Sequence, residues 1–359
     1  MITEKIFQRI NSHYEQSLED TVLIGCQHFL EGQYLLIENL LENGLKPENT
    51  YLIGKSYSYN QSIRNDFANK GINVYDYTFD SHKEFDEQFS TNLNTFLTQI
   101  KQSNITDNKR VVLLDDGGSL ISAANKFDFS NTTAVEQTSS GYSRIKSEIY
   151  FPIVNVARSK TKLTYETPHV IECFFNNLNP YLNEKKIQPE NCLVIGGGTI
   201  GEEVKKQAPF KTDIYDTNNE KSYFKNKQLK DILPDYDMII GATGNKSIPK
   251  ELHKNIKKDA ILVSISSSDR EFDAVHLRKK TSVSNNPHQH YYENGIHLLN
   301  SGFPMTFTGS RVAAPTEKII MTQALMLSGL YESLKYENNE MYGLSDSIQK
   351  IISMEVGLQ

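Results

Sequence analysis

The chain has 359 residues, of which 38% are hydrophobic and 23% charged, and this composition excludes collagen-like, low-complexity and mainly disordered proteins. The net charge is −6 and no run of five or six basic residues occurs, so we predict a small-molecule substrate and no nucleic-acid partner. The N-terminus lacks the layout of a secretory signal, no apolar run reaches the length of a membrane span, and the three cysteines form no C-x-x-C pair. These features predict a cytoplasmic protein with no membrane partner, no disulfide framework and no metal site.

Short runs rich in Val, Ile and Tyr alternate with helix-like segments along the first half, a pattern typical of α/β proteins with parallel sheets. Leu30, Tyr34 and Ile37 share one face of a helix predicted over residues 30–43. Gly44 follows where a left-handed C-terminal cap would stand. The first series of predicted strands comprises Thr21–Cys26, Thr50–Gly54, Ile72–Tyr75, Arg110–Leu114, Thr133–Glu136 and Ile153–Val156.

A second series of strands begins near residue 190 and is interpreted as a separate nucleotide-binding unit. A helical segment over residues 167–182 and a polar stretch precede it, so we place a domain boundary near residue 186. Asn294-Gly295 favours a two-residue hairpin turn, and residues 315–331 look helical with Pro315 in the first turn. The predicted strands of this series are Cys192–Gly196, Thr212–Tyr215, Met238–Gly241 and Ile261–Ile265.

The most specific motif is a G-x-G-x-x-G fingerprint directly after the strand that begins at Cys192. Gly196 and Gly198 would let the backbone turn and approach a pyrophosphate, and Gly201 would let the following helix pack closely on the strand. Thr199 and Ile200 belong to the helix N-terminus that faces the anion. Asp216 ends the next strand at the distance expected for a carboxylate that binds a ribose, and no Arg follows it, which favours NAD over NADP.

Polar residues follow several other predicted strands and are candidates for binding or proton transfer, because the carboxyl ends of such strands line the ligand crevice. Thr243 and Gly244 follow the strand Met238–Gly241 and would face the cofactor. Asp115 and Asp116 end a buried-looking strand, where one of them could instead cap the next helix. His28 follows the first strand and is predicted to open a helix, either as a general acid or base or as a partly buried cap.

Two further groups contain charged or metal-binding residue types. Lys160 and Lys162 end another strand, where a lysine could act as a base or belong to a solvated basic loop. His288, His290 and His297 have no acidic or Cys partner at ligand spacing, so no metal is predicted.

Taken in order, these pieces resemble the S-adenosylhomocysteine hydrolase (adenosylhomocysteinase) family. The resemblance spans most of the chain, and its most specific parts are the glycine fingerprint and the Asp115-Asp116-Gly117-Gly118 run. Other matching segments are Gln27-His28, residues 136–141, Asn155-Val156, Thr161-Lys162, Ala242-Thr243-Gly244 and residues 258–273.

The resemblance implies an α/β protein in which a Rossmann NAD-binding domain is inserted into an α/β substrate domain. Residues 1–185 would form the first part of the substrate (catalytic) domain, residues 186–309 the Rossmann domain, and residues 310–359 the return to the substrate domain with C-terminal helices. The family implies a homo-oligomer, a dimer or tetramer. It also implies NAD as a transient acceptor of hydride from a substrate hydroxyl, with Lys162 assisting deprotonation, Asp116 and His28 handling protons, and Asp216 binding the NAD ribose.

Departures from the family pattern are concentrated among residues implied to contact the substrate. Leu30 and Gly32 replace a Thr and a Glu, and Gln137 replaces a second Glu. The Asp-Asn pair after Lys162 becomes Glu166-Thr167, and one Gly-His becomes Ser310-Arg311. A second Gly-His becomes Ser266-Ser267, and the family's Lys- and Tyr-bearing C-terminal tail finds no match.

Several side chains that would hydrogen-bond the family's substrate are replaced in this chain. Because a binding site discriminates strongly against a substrate that leaves buried polar groups unpaired, these replacements favour a changed substrate. Gln137, Glu166 and Arg311 are the predicted substrate-binding residues. Arg311, with Arg144 and Arg158, offers bidentate recognition of a carboxylate or phosphate on an anionic substrate. Three alternatives stay open: true S-adenosylhomocysteine hydrolysis, a dehydrogenase with net hydride transfer, and a non-catalytic NAD-binding protein.

Overall fold

The computed structural model describes residues 2–145 and 149–357 as an α/β chain with two mainly parallel sheets. From the N-terminus the elements are α1 Ile2–Tyr14, β1 Thr21–Phe29, α2 Glu31–Glu42, β2 Thr50–Tyr59, α3 Gln61–Asn69, β3 Asn73–Tyr75, α4 Phe85–Gln102, β4 Arg110–Asp115, α5 Ser119–Ala124, β5 Thr132–Glu136, α6 Ser139–Ile145, β6 Ile153–Asn155 and α7 Lys160–Lys185. They continue as β7 Asn191–Ile195, α8 Thr199–Gln207, β8 Lys211–Tyr215, α9 Leu229–Ile232, β9 Met238–Gly241, β10 Ala260–Ser264, α10 Ala274–Arg278, β11 Tyr291–Glu293, β12 Ile296–Leu298, α11 Thr316–Ser333, β13 Met341–Gly343 and α12 Asp346–Glu355.

The chain divides into two compact units. Unit 1 lies within Met1–Tyr77, Phe89–Glu166 and Ser310–Gln359, and unit 2 consists of Thr78–Gln88 and Thr167–Gly309. The border falls within α7, between Glu166 and Thr167, rather than after residue 185. The sequence had suggested a helix only from residue 167.

Unit 1 is built on a seven-stranded parallel sheet in the order β13-β6-β5-β4-β1-β2-β3. Its central strands are buried on both faces, as in the apolar run from Val111 to Leu114, and this is the usual composition of a parallel strand covered on both sides. Helix α11 packs closely on β5 and β6 at Gly329, where an added Cβ would lie 2.9 Å from side-chain atoms of Val135 and Val156. A larger residue there would push the helix off the sheet.

Unit 2 is built on a six-stranded sheet in the order β11-β12-β10-β9-β7-β8, in which only the pairing of β11 with β12 is antiparallel. The turn between them is Asn294-Gly295, both with positive φ, as the Asn-Gly pair predicted. Apolar clusters cover both faces of this sheet: Val194 and Ile240 belong to one, and Leu193 and Ile239 to the other.

Two local expectations are corrected by the structure. His28 lies within β1, which runs on to Phe29, and the helix begins only at Glu31. Lys162 stands in the first turn of α7 rather than in a strand-end loop.

None of the helices in the described ranges combines the length and the apolar character needed to cross a bilayer.

Candidate functional site

The candidate site of unit 1 lies at the carboxyl ends of its parallel strands. The sheet order β3-β2-β1-β4-β5-β6 reverses direction between β1 and β4, and ligands of open α/β sheets bind outside the strand ends at such a reversal. His28 stands near the end of β1, and Asp116 directly follows β4. The fold therefore brings two predicted catalytic residues to the reversal point.

An irregular pairing of β1 with β2 shapes this point. The pairs Gln27–Gly54 and Phe29–Tyr59 are in register, so His28 alone faces the four residues 55–58 of β2. Such bulges re-aim side chains and are frequent beside active sites. The extra residues 55–58 of β2 include Lys55 and Ser58, which lie beside His28.

Lys55, Ser58, His28 and Asp116 form one group that we call the strand-end cluster. The Nε2 atom of His28 lies 3.2 Å from Oδ2 of Asp116, and Nζ of Lys55 donates to Oδ1 of the same carboxylate at 2.5 Å. The hydroxyl of Ser58 contacts Nδ1 of His28. The side chains of Lys55 and Asp116 are almost fully buried, and that of His28 is 12% exposed.

The charges of this cluster follow from its contacts. Burial alone would raise the pKa of Asp116, but His28 and Lys55 hold the pKa of that carboxyl well below its usual range. Burial alone would lower the pKa of Lys55, and Asp116 instead raises it well above the ordinary value. Because an ionised carboxylate only accepts hydrogen bonds, the Nε2 atom of His28 donates to Asp116, which leaves Nδ1 for the Ser58 hydroxyl.

Lys55 and Ser58 were not predicted from the sequence. One sequence feature could have indicated Lys55: it directly follows the apolar run Leu52-Ile53-Gly54, just as Asp116 follows the end of a predicted strand.

A second pair of carboxyls lies in the neighbouring strands. Asp115 and Glu136 are register partners of β4 and β5, and both are fully buried. Glu136 accepts hydrogen bonds from the backbone N–H groups of Gly117 and Gly118 and from Thr138. Burial first, and then repulsion by Asp115, raise the pKa of Glu136 to about 8; burial raises the pKa of Asp115 to about 6. Both carboxyls are therefore harder to ionise than an exposed carboxyl.

Lys162 is placed in a different group of contacts from the strand-end cluster. Its Nζ donates to Oε2 of Glu166 one turn further along α7, and Thr322 of α11 donates to Oε1 of Glu166 at 3.0 Å. The structure thus joins the predicted catalytic Lys162 to the predicted substrate-binding Glu166.

Gln137, also predicted to bind substrate, is buried at the end of β5. Its Oε1 atom has no hydrogen-bond partner among the residues that the structure describes. A buried amide oxygen without a donor is costly, which makes it a candidate to accept a hydrogen bond from a ligand or water.

Arg311, predicted to bind an anionic substrate, contacts two carboxylates. Its guanidinium donates to Glu31 at 2.5 Å and to Asp66 at 2.6 Å, so two carboxylates of unit 1 already neutralise it. Of the other two arginines, Arg144 donates to the carbonyl of Gly117, and Arg158 stacks over the ring of Tyr142.

In unit 2 the glycine fingerprint forms the turn between β7 and α8. Gly196 has a φ of +116°, which favours glycine, and a Cβ at Gly201 would lie 1.8 Å from the carbonyl oxygen of Gly196. A Cβ at Gly198 would meet no atom within 4 Å. These are the three parts that the fingerprint assigns to its glycines: a tight turn, an open approach for a phosphate, and close packing of helix on strand.

Asp216 follows β8 beside this turn. Its Oδ2 accepts the N–H of Gly197 at 2.6 Å, and its Oδ1 accepts the N–H of Asn218 at 2.8 Å. Each carboxylate oxygen can accept a second hydrogen bond, so Asp216 can also bind a ribose hydroxyl.

Thr243 and Gly244 lie after β9, the strand that pairs with the other side of β7. Their backbone N–H groups donate to the carboxylate of Glu271, a residue that the sequence analysis did not single out.

The three histidines considered as metal ligands have structural contacts instead. His288 bonds the side chain of Asn300, Nδ1 of His290 accepts the backbone N–H of Asn300, and the ring of His297 packs against that of Tyr292. Over residues 2–145 and 149–357, no group of His, Cys, Asp and Glu side chains could hold a metal ion.

No protein-family model matches the chain. Two proteins of Mycobacterium tuberculosis, "Uncharacterized protein MT0113" of strain CDC 1551 / Oshkosh and "Uncharacterized protein Rv0104" of strain ATCC 25618 / H37Rv, are each 33% identical to it over 338 residues. The match covers 89% of this chain and 66% of each relative, so the chain spans just under two thirds of their length.

Solved structures give more distant similarities. The TT0316 protein from Thermus thermophilus has a TM-score of 0.45 and 11% identity, covering 88% of this chain and 98% of that one. The hetero-hexameric glutamate dehydrogenase from Thermus thermophilus, in its Leu-bound form, has a TM-score of 0.29 and 6% identity, covering 75% and 61%. Neither similarity supports an argument about function, which therefore depends on the residues of the site.

Proposed function

We propose that this chain is an NAD-dependent enzyme that transiently oxidises a substrate hydroxyl, in the manner of the adenosylhomocysteinase family that its sequence resembles. The observation that carries the proposal is the glycine turn of unit 2. Gly196, Gly198 and Gly201 each have the surroundings that a dinucleotide-binding turn requires, and Asp216 stands beside them.

The residues present fit NAD. The backbone of Gly198, Thr199 and Ile200 at the start of α8 would hold the pyrophosphate, and no side chain caps that helix end. Asp216 would bind a ribose, and Thr243 and Gly244 would contact the cofactor from the far side of the turn. When bound, NAD would supply a reversible acceptor of hydride.

Unit 1 would supply the proton transfers. Asp116, kept ionised by Lys55, would orient His28 and stabilise the imidazolium formed when His28 takes up a proton. Lys162, which is in direct contact with Glu166, would assist deprotonation of the substrate hydroxyl, as the family resemblance implies.

The contacts of Arg311 bear on whether the substrate carries an anionic group. Because Glu31 and Asp66 already hold its guanidinium, we do not assign an anionic substrate group to Arg311. Gln137 and Glu166 remain the proposed substrate contacts, and both offer hydrogen bonds to hydroxyl or amide groups.

The test compares two glycine-to-alanine variants whose added methyl groups both enter open space. Gly198→Ala should weaken NAD binding by about tenfold or more, because the methyl group occupies the approach of the pyrophosphate. Gly343→Ala in β13 is the matched control, since a Cβ there also meets no atom within 4 Å. Isothermal titration with NAD and thermal melting would be measured for both; an unchanged NAD affinity in Gly198→Ala contradicts the proposal.

Small molecules released on denaturing the desalted protein would show by mass spectrometry whether NAD is resident. In the NAD-loaded protein, transient oxidation predicts turnover without net NADH. Stoichiometric NADH would instead indicate a simple dehydrogenase, and binding without turnover a non-catalytic protein.

A further inference from the structure

Glu271 is a fully buried carboxylate in unit 2 that accepts hydrogen bonds from uncharged donors. Its Oε1 accepts the N–H of Thr243 at 2.6 Å, the N–H of Gly244 at 2.7 Å and the hydroxyl of Ser266 at 2.5 Å. Its Oε2 accepts the hydroxyl of Thr243 at 2.9 Å. One side chain thus fixes the backbone of the loop over residues 242–245.

This loop adjoins the glycine turn. The N–H of Ala242 donates to the carbonyl of Ile195 at 2.8 Å, and a Cβ on Gly196 would lie 2.7 Å from the carbonyl oxygen of Ala242. The sheet order β8-β7-β9 places the loop on one side of the turn and Asp216 on the other. The direction of the sheet reverses here, so a dinucleotide at the turn extends over both sides.

The two sides would hold different halves of the ligand. Asp216 is placed to bind the ribose of the adenosine half, so the half that carries the nicotinamide extends toward β9 and the loop over residues 242–245. The position of this loop should then affect the binding of NAD but not the binding of ADP, which lacks the nicotinamide half.

A carboxylate is specifically suited to this position. Two backbone N–H groups converge on its Oε1, and Gly244 has a left-handed φ of +70° that brings its N–H there. A glutamine has the same size but no charge, so its amide oxygen would accept the hydrogen bonds of Thr243, Gly244 and Ser266 more weakly than the carboxylate does. The substitution Glu271→Gln therefore disturbs the loop without leaving a cavity.

We propose that Glu271 is a positioning residue for the nicotinamide half of the bound dinucleotide, acting through Thr243 and Gly244. The proposal rests on NAD binding as proposed above. It assigns to Glu271 no contact with the cofactor itself.

The test measures the affinities of NAD and ADP by isothermal titration. Glu271→Gln should weaken NAD binding by about tenfold, the effect of losing one charge-assisted hydrogen bond, and leave ADP binding within about twofold. Asp216→Ala should weaken both ligands. Glu251→Gln, at an exposed glutamate of the same unit, is the control and should change neither.

NAD affinity within about twofold of the unsubstituted protein, or an equal loss for NAD and ADP, would overturn the proposal, since the second result indicates a general structural role. If Glu271→Gln does not fold, the variant Ser266→Ala tests the proposal instead. It removes one hydrogen-bond donor to the Glu271 carboxylate and should weaken NAD binding by about threefold while leaving ADP binding unchanged. An unsubstituted protein that binds neither ligand refutes NAD binding as such, a result distinct from loss confined to the Glu271 variant.

Discussion

The buried ion pair between Lys55 and Asp116 gives the sharpest prediction about unit 1. The substitution Lys55→Met keeps most of the side-chain length and removes its charge. The two side chains are 6% and 3% exposed, and removing one partner of such a pair typically lowers the free energy of unfolding by about 3–5 kcal/mol, because the other charge stays buried. We therefore expect a loss of about 3 kcal/mol, at the lower end of this range.

Urea unfolding followed by far-UV circular dichroism measures this loss, since the chain has no tryptophan for fluorescence. Hydrogen exchange of the β4 amides assigns the loss to unit 1, because a chain of two units need not unfold in one step. The control is Lys70→Met, which breaks the exposed pair with Glu38 and should lower the free energy of unfolding by less than about 1 kcal/mol.

The double variant Lys55→Met/Asp116→Asn removes both charges and should be more stable than the sum of the two single losses predicts, by about 2 kcal/mol. A loss of under about 1 kcal/mol for Lys55→Met, or strictly additive losses, would refute the view that Lys55 neutralises a buried carboxylate.

Two further predictions concern the raised pKa of Glu136 and a buried arginine. Because the pKa of Glu136 is raised from 4.5 to about 8, the folded protein binds a proton that the unfolded chain releases, so this stabilisation is complete below pH 4.5 and is lost as the pH rises to about 8. Across that range the free energy of unfolding should fall by up to about 1.4 kcal/mol per pH unit more than in Glu136→Gln, and parallel pH dependences of urea unfolding would contradict this. Arg278 is fully buried and donates to Asp269 at 2.7 Å and to the carbonyls of Ser81 and Ser301, so Arg278→Met should lower the free energy of unfolding of unit 2 by about 3–5 kcal/mol. Arg64→Met, which breaks a more exposed pair, should lose under about 1 kcal/mol in the same urea experiment, and equal losses would show that burial does not decide the cost.

Local sequence patterns alone predicted the α/β class of the fold and the positions of several candidate residues at strand ends. Apolar runs placed the central strands of both sheets within a few residues, and the Asn-Gly pair predicted the hairpin turn between β11 and β12. The spacing of Gly196, Gly198 and Gly201 predicted a turn in which each glycine has a different steric reason to be glycine. His28 and Asp116 were both singled out as polar residues at strand ends.

Which of these residues come into contact depends on how distant segments pack together. His28 belongs to β1 and is surrounded by residues 55–58 only because β1 and β2 pair out of register there, and no local pattern shows how two distant segments pair. Arg311 was predicted to bind an anionic substrate, and the folded chain places Glu31 of α2 and Asp66 of α3 against its guanidinium. The role of a charged residue depends on the charges that folding places within a few ångströms of it, and those neighbours come from segments that are distant in the sequence.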